Sequence, residues 1–329
     1  MSSFWNEIDG PIMALAPMED VTDTVFREII ASVSEPGAVH LFMTEFISTD
    51  GMMHEVGRDR VIHRLYISDT ERALLKEKNI KLVAQIWGNN PDNYSKAVKD
   101  ITENMDFDGI DINMGCPVNK VVKKGCCSGL IETPELAKEL VLAAKEATHL
   151  PVSVKTRTGI RQPVTEEWIN HLLETKPAAI TLHGRTQRQM SEGWASWEEI
   201  SKAARCRDAS GQDIPVVGNG DLTSYQEIVE KCEKYQVDGG MVGRGIFNNP
   251  WLFNSGPIEK TPKERMRLLW RHAQLFWETW GDRKNFQILR RFFKIYAANF
   301  HQSAALRSRL MSTRGMEDVE EILKEFDII

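Results

Sequence analysis

Eight short β-branched or aliphatic runs recur along the first 245 residues of this 329-residue chain, and they constrain its fold more than any other feature. They are IMALAP from Ile12, LFMTEF from Leu41, KLVAQIWG from Lys81, GIDINMG from Gly109, PVSVKTR from Pro151, AAITLHG from Ala178, IPVVGNG from Ile214 and GGMVGRG from Gly239. Their starts lie 25 to 42 residues apart, close to the roughly 30 or more that one strand, helix and loop unit requires. The spacing predicts parallel strands joined by crossover helices. Eight such units fit a (β/α)8 TIM barrel better than an open doubly wound sheet, which usually carries fewer strands.

Helical patterns lie between the runs. Asn90-Pro91 and Thr133-Pro134 read as helix starts, because Pro tolerates the first helical position and Asn or Thr before it can cap free amides. PELAKELVLAAKEAT places Leu136, Leu140, Val141 and Ala144 on one face, and TEEWINHLLET places Trp168, Leu172 and Leu173 similarly. After Arg244 the strand signals stop. NNPWLF reads as a short helix, Gly256-Pro257 as a linker and Thr261-Pro262 as a capped helix start. The predicted division is a barrel over 1–257 and a small helical bundle over 258–329. Trp270, Phe276, Trp277, Leu289, Phe292, Phe293 and Ile295 are available for the bundle core.

Composition narrows the function. No run approaches the roughly 18 consecutive apolar residues needed to cross a bilayer, and MSSFWNEIDG has acidic residues where a signal peptide would be positive. Cys116, Cys126, Cys127, Cys206 and Cys232 form an odd set without a CxxC pair, which suits neither a disulfide framework nor a zinc site. A cytoplasmic, metal-free protein is expected. Net charge is −6, yet between Lys260 and Arg314 there are 13 basic and three acidic residues. A basic segment on an acidic body suits phosphate backbones, although a merely solvated helical face would look the same.

In a barrel of this kind chemistry belongs at the C-terminal strand ends. Those ends carry Pro17-Met18-Glu19, Thr44-Glu45, Gln85, Asn113 with Cys116, Lys155 with Arg157, His183 with Arg185, Asn219-Gly220-Asp221 and Gly243-Arg244-Gly245. Polar groups at all eight positions predict a pocket lined with donors. Glycines after the last two strands let backbone amides approach a phosphate, and Arg244 adds a charged contact. A phosphate, a central Lys155 and a row of amide donors suit flavin mononucleotide; pyridoxal phosphate or a sugar phosphate would suit nearly as well.

The motifs LAPMEDVTD, TEF, QIWG, DGIDINMGCPVNKVVKKG, SVKTRTG, LHGRTQRQ, VVGNGD and MVGRG, spread over Leu15 to Gly245, resemble those of the tRNA-dihydrouridine synthases of bacterial type. The NMGCP and HGRT blocks together are highly specific. The resemblance implies a barrel holding FMN through Pro17, Met18, Glu19, Gln85, Lys155, His183, Asn219, Gly220, Asp221, Gly243 and Arg244. It further implies Cys116 as catalytic acid, a helical tRNA-binding domain, and NADPH or NADH as transient reductant, since no GxGxxG motif is present. One departure is Cys126-Cys127, where the family loop is usually built from small residues; silent replacement is the expectation.

The chemistry asks for the same groups. Reducing the C5=C6 bond of uracil needs a hydride at C6 and a proton at C5. A thiol with a pKa of about 8.5 stays largely protonated at neutral pH and can give that proton. Asn113 and Arg185 are candidates for contact with an extruded base. Arg290, Arg291 and Lys294, with Arg307 and Arg309, are candidates for tRNA phosphates. The protein is expected to act as a monomer. Three alternatives stay open: a flavin barrel enzyme acting on a small molecule, an aldolase using Lys155 as a Schiff base, and a non-catalytic RNA-binding protein.

Overall fold

Alternation along each run decides the architecture. In the strand Gly109–Met114, Ile110, Ile112 and Met114 join the shell packed under the helices, while Asp111 and Asn113 turn to the opposite side. The same period of two puts Val154 in the shell and Ser153 and Lys155 inside the barrel in Val152–Arg157. The computed structural model describes residues 3–256, 260–298, 300–326 and 328–329.

All eight runs form strands. We label them with one short extra strand as β1 (Ile12–Leu15), β2 (Leu41–Met43), β3 (Ile47–Ser48), β4 (Lys81–Trp87), β5 (Gly109–Met114), β6 (Val152–Arg157), β7 (Ile180–His183), β8 (Val216–Asn219) and β9 (Gly239–Val242). Every pairing is parallel. β1 pairs with both β2 and β9, and β2 pairs with β4, so the sheet closes into a (β/α)8 barrel. The LFMTEF run, read as one strand, is interrupted at Thr44, whose hydroxyl donates to the Glu45 carbonyl; β3 then resumes as a rim pairing with β4. The barrel floor is apolar, with Trp5, Ala14, Leu41, Val83, Val217 and Met241 in one cluster.

The cover helices start largely where the sequence places them. Asn90 accepts from the amides of Asp92 and Asn93 at the start of Pro91–Asn104. Thr133 precedes Pro134–Glu146 but makes no side-chain cap, because its backbone sits at φ −132° and ψ 64°. Ala137, rather than the half-buried Leu136, completes that helix's inner face. NNPWLF is turn rather than helix; the single helical turn lies just before it, at Arg244–Phe247.

The expected boundary at residues 257 and 258 lies outside the described residues. Beyond it, Thr261 and Glu264 form a reciprocal capping box that opens the 19-residue helix Pro262–Trp280. Shorter helices follow at Arg290–Tyr296, Ser303–Leu310 and Met316–Glu325. Phe276, Leu289, Phe292, Phe293 and Ile295 are buried as expected, whereas Trp270 is half-buried and Trp277 is exposed. This helical segment is fastened to the barrel. Trp280 Nε1 and Lys284 Nζ both donate to Asp23 Oδ2, at 2.9 and 3.1 Å, and the rings of Phe26 and Phe292 lie 5.1 Å apart. Among the described residues no helix is long and apolar enough to cross a membrane.

Candidate active site

A cleft of about 650 Å³ opens at the C-terminal ends of the strands. Its wall brings together Pro17, Met18, Glu19, Asn113, Cys116, Lys155, Arg157, His183, Arg185, Asn219, Gly220, Asp221, Gly243 and Arg244. The ends of six strands contribute, so residues up to 227 positions apart meet in one cavity.

Beneath the cleft runs a buried polar chain that fixes its centre. Ser153 Oγ and Gln85 Nε2 donate to the two oxygens of Asp111, at 2.6 and 2.7 Å. Burial pushes the Asp111 carboxyl up to about 6, against those bonds and the nearby charge of Lys155. With its nitrogen on Asp111, Gln85 offers its oxygen to Asn113 Nδ2 at 2.9 Å. Asn113 then presents Oδ1 to the backbone amides of Gly115 and Cys116. Gln85 therefore lies behind the wall rather than in it, and Asn113 engages its amide oxygen in holding the loop after β5.

That loop carries Cys116. Ser128 Oγ donates to the Cys116 carbonyl at 2.9 Å, and Arg157 Nε donates to the Gly115 carbonyl at 2.7 Å. The Cys116 thiol is brought down to about 7, first by a hydrogen bond with the thiol of Cys127, then, against burial, by the Val118 amide and the charge of Arg157. Cys127 is buried, and burial and its thiolate-prone neighbour push its own pKa far up, so it remains the protonated partner. The second of the paired thiols is thus a neighbour of the site. Cys116 is also more acidic than the ordinary thiol expected from sequence, and near neutrality both of its protonation states are populated.

Cations and glycines face the thiol. Lys155 Nζ donates to Asn219 Oδ1 at 2.9 Å, and Asn219 Nδ2 in turn donates to the Met241 carbonyl. Burial and Arg157 bring the ammonium down to about 8, so it stays mostly charged at pH 7. His183 is held neutral, its pKa well below the usual range through burial and the surrounding cations. A Cβ on Gly243 would meet only Ala16, at 3.8 Å, so this backbone fronts open space beside the exposed Arg244. Gly220 has φ +125°, a backbone that side chains rarely adopt. Glu19 pairs with Arg64 at 2.5 Å.

Arg185 is turned into the wall. Its Nη2 reaches both oxygens of Asp221 at 2.7 Å and the Gly193 carbonyl at 2.6 Å, and its Nε reaches the Glu192 carbonyl. Burial opposes the Asp221 charge, but Arg185 and the Ala195 amide hold its pKa below the usual range. The basic residues of the helical segment also divide. Arg290 donates to the carbonyls of Ser312 and Thr313, and Arg307 to that of Ala297. Arg291 reaches the Asp20 carbonyl at 3.1 Å, and Arg309 pairs with Glu325. Lys294 is exposed, with no ion-pair partner among the described residues. The cleft further includes Phe46, the last residue of the LFMTEF run, and Trp194, which lies outside every run; neither was among the expected site residues because both are apolar.

Comparison with known proteins decides the family. Residues 14–328 match the family model described as dihydrouridine synthase. The chain belongs to the dihydrouridine synthase family. It is 40% identical over 327 residues to a probable tRNA-dihydrouridine synthase of Staphylococcus aureus strain COL, covering 99% of this chain and 96% of the relative. It is 41% identical over 328 residues to probable tRNA-dihydrouridine synthase 2 of Bacillus subtilis strain 168, covering 99% and 97%. In fold, this dihydrouridine synthase family member is similar to the 6-hydroxypseudooxynicotine amine oxidase of Pseudomonas geniculata N1, with a TM-score of 0.55 at 13% identity, over 77% of this chain and 49% of the other.

Proposed function

We propose that this protein is a tRNA-dihydrouridine synthase that reduces the C5=C6 bond of a uridine in tRNA, with FMN in the barrel cleft and NADPH or NADH as the electron source. The observation that carries the reading is the placement of one thiol, Cys116, across a single cleft from a partly buried cation and a glycine-lined anion corner. The names of the relatives supply the substrate class.

The donor set fits FMN. Open backbone at Gly243, the guanidinium of Arg244 and the amides about Gly220 and Asp221 suit its phosphate. Lys155 suits the electron-rich edge of the ring, with Asn219 fixing the ammonium, and the neutral His183 can donate or accept a hydrogen bond without adding charge. Pro17, Met18 and Glu19 would close the opposite side, and Gln85 would act through Asn113. When bound, FMN supplies the hydride that C6 accepts.

Cys116 gives its Sγ proton to C5 of the base, leaving a thiolate that the Cys127 thiol stabilises by donating to it. A catalytic acid works best with a pKa near the working pH, which is where this thiol lies. Asn113 holds the loop that carries Cys116, and Arg185 holds the cleft-wall segment at Gly193, so their part in base recognition is positional. The target uridine must be extruded to reach the cleft. The segment from residue 258 onward serves as the tRNA-binding domain, and its bonds to Asp20 and Asp23 tie it to the loop after β1.

The direct test is chemical mapping of dihydrouridine in tRNA from cells lacking this protein, with and without the gene restored. One position is expected to revert to uridine and be recovered on restoration. An unchanged map would reject the reading.

A further inference from the structure

Trp194 is 85% exposed, more than any other large apolar side chain described, and it lies on the wall of the cleft. Other tryptophans use their polar atom: Trp168 Nε1 donates to Thr156, Trp197 Nε1 to the Gly220 carbonyl and Trp280 Nε1 to Asp23. Among the described residues, Trp194 has no hydrogen bond from its ring nitrogen, no ring contact and no cation over its face. Leaving an indole in water forgoes the burial of a large apolar surface.

Exposure here does not mean a loose loop. The residues on both sides of Trp194 are pinned to the strand ends by the same ion pair. Arg185 Nη2 takes the Gly193 carbonyl at 2.6 Å, Asp221 Oδ2 takes the Ala195 amide at 2.7 Å, and the two side chains bind each other at 2.7 Å. Arg185 is 3% exposed and Asp221 21%, so the guanidinium half of this clamp is sheltered from solvent. The backbone thus presents the indole from fixed points. The same cleft wall carries the exposed Arg244, which reaches the Ser191 carbonyl, while the chain beside the indole is polar, with Ser191 and Glu192 exposed.

A planar apolar ring with a free face, held rigidly on a wall that also carries the Arg244 guanidinium, suits a nucleobase with its phosphate. Turning a uridine out of a stacked RNA strand also leaves the neighbouring base with a bare face. We infer that Trp194 is a stacking platform for a base flanking the target uridine, one that receives the RNA strand at the cleft mouth. This rests on the tRNA reading above. The clamp between Arg185 and Asp221 is then a positioning element for the platform.

The test is steady-state dihydrouridine formation on unmodified tRNA transcript, with wild-type holoenzyme, Trp194→Ala and Trp194→Phe side by side. Stacking on an aromatic ring is sizeable and tolerant of ring type, so Trp194→Ala is expected to raise the KM for tRNA by about five- to a hundredfold. Trp194→Phe should recover most of that loss, and the effect should fall on KM far more than on kcat. Flavin reduction by NADPH without tRNA, followed by absorbance, separates the other occupant of such a cleft. An unchanged KM in Trp194→Ala, equal losses in both variants, or a matching slowing of tRNA-free flavin reduction would each overturn the proposal. If wild-type enzyme forms no dihydrouridine, the tRNA reading falls and takes this one with it; if wild type is active and Trp194→Ala matches it, only the platform falls.

Discussion

The side-chain oxygen of Asn113 lies 2.9 Å from the backbone nitrogen of Cys116, so the last interior residue of β5 sets where the thiol three positions later can stand. Asn113→Ala leaves the Gly115 and Cys116 amides without that acceptor, a loss of about 1–3 kcal/mol for partly buried groups. Thermal unfolding is expected to show that destabilisation, and dihydrouridine formation to slow about tenfold or more. A normal rate in the folded variant would deny Asn113 its positioning role.

Cys127 makes a sharper case. It occupies left-handed backbone at φ +53°, so Cys127→Gly removes the sulfur while suiting the local conformation. Without that donor the Cys116 pKa should rise from about 7 towards the ordinary thiol value. The thiol, not the thiolate, gives the proton. The wild-type rate should therefore fall as pH rises through about 7, roughly tenfold per unit beyond it, and in Cys127→Gly the fall should begin at higher pH. Alkylation of Cys116 by iodoacetamide across pH 6–10 gives the two midpoints; coincident midpoints would show that Cys127 does not tune the site.

Lys155 tests the cofactor separately from the substrate. Lys155→Met keeps length but removes the charge that Asn219 holds. Losing a charged hydrogen bond of about 1.5–3 kcal/mol should weaken FMN about ten- to a hundredfold, read by flavin titration and by paler purified protein. Equal FMN affinity in the two proteins would move the cofactor away from this lysine.

In the helical segment, charge alone does not identify RNA contacts, because many cations are already engaged. Lys294→Glu should weaken tRNA binding and lower its dependence on salt by about one counterion, with little effect on stability. Arg290→Ala should do the reverse, since its guanidinium holds the Thr313 carbonyl at 2.6 and 2.9 Å. Binding measured from 50 to 200 mM salt, beside thermal melts, separates them. Identical behaviour of the two variants would contradict the division.

The barrel was readable because a strand with one face to the helices and one to the interior writes its period into residue type, as Ile110, Ile112 and Met114 against Asp111 and Asn113 show. The polar strand ends were readable for the same reason. What escaped were relationships made by loops folding back. Nothing in the order of residues shows that Cys127 would face Cys116, that Gln85 would work from behind Asn113, or that Arg290 would bind a carbonyl 23 residues on. Trp194 sits in a segment without periodicity, where a tryptophan gives no sign of its neighbours.

The central claim is that Cys116 protonates the base while the cleft holds the cofactor. Enzyme with its flavin reduced beforehand, mixed with unmodified tRNA in a single turnover, addresses it directly. Wild type is expected to reoxidise its flavin and form dihydrouridine, whereas Cys116→Ala should bind both FMN and tRNA normally and react about a hundredfold or more slowly. Cys116→Ala reacting at the wild-type rate would contradict the claim.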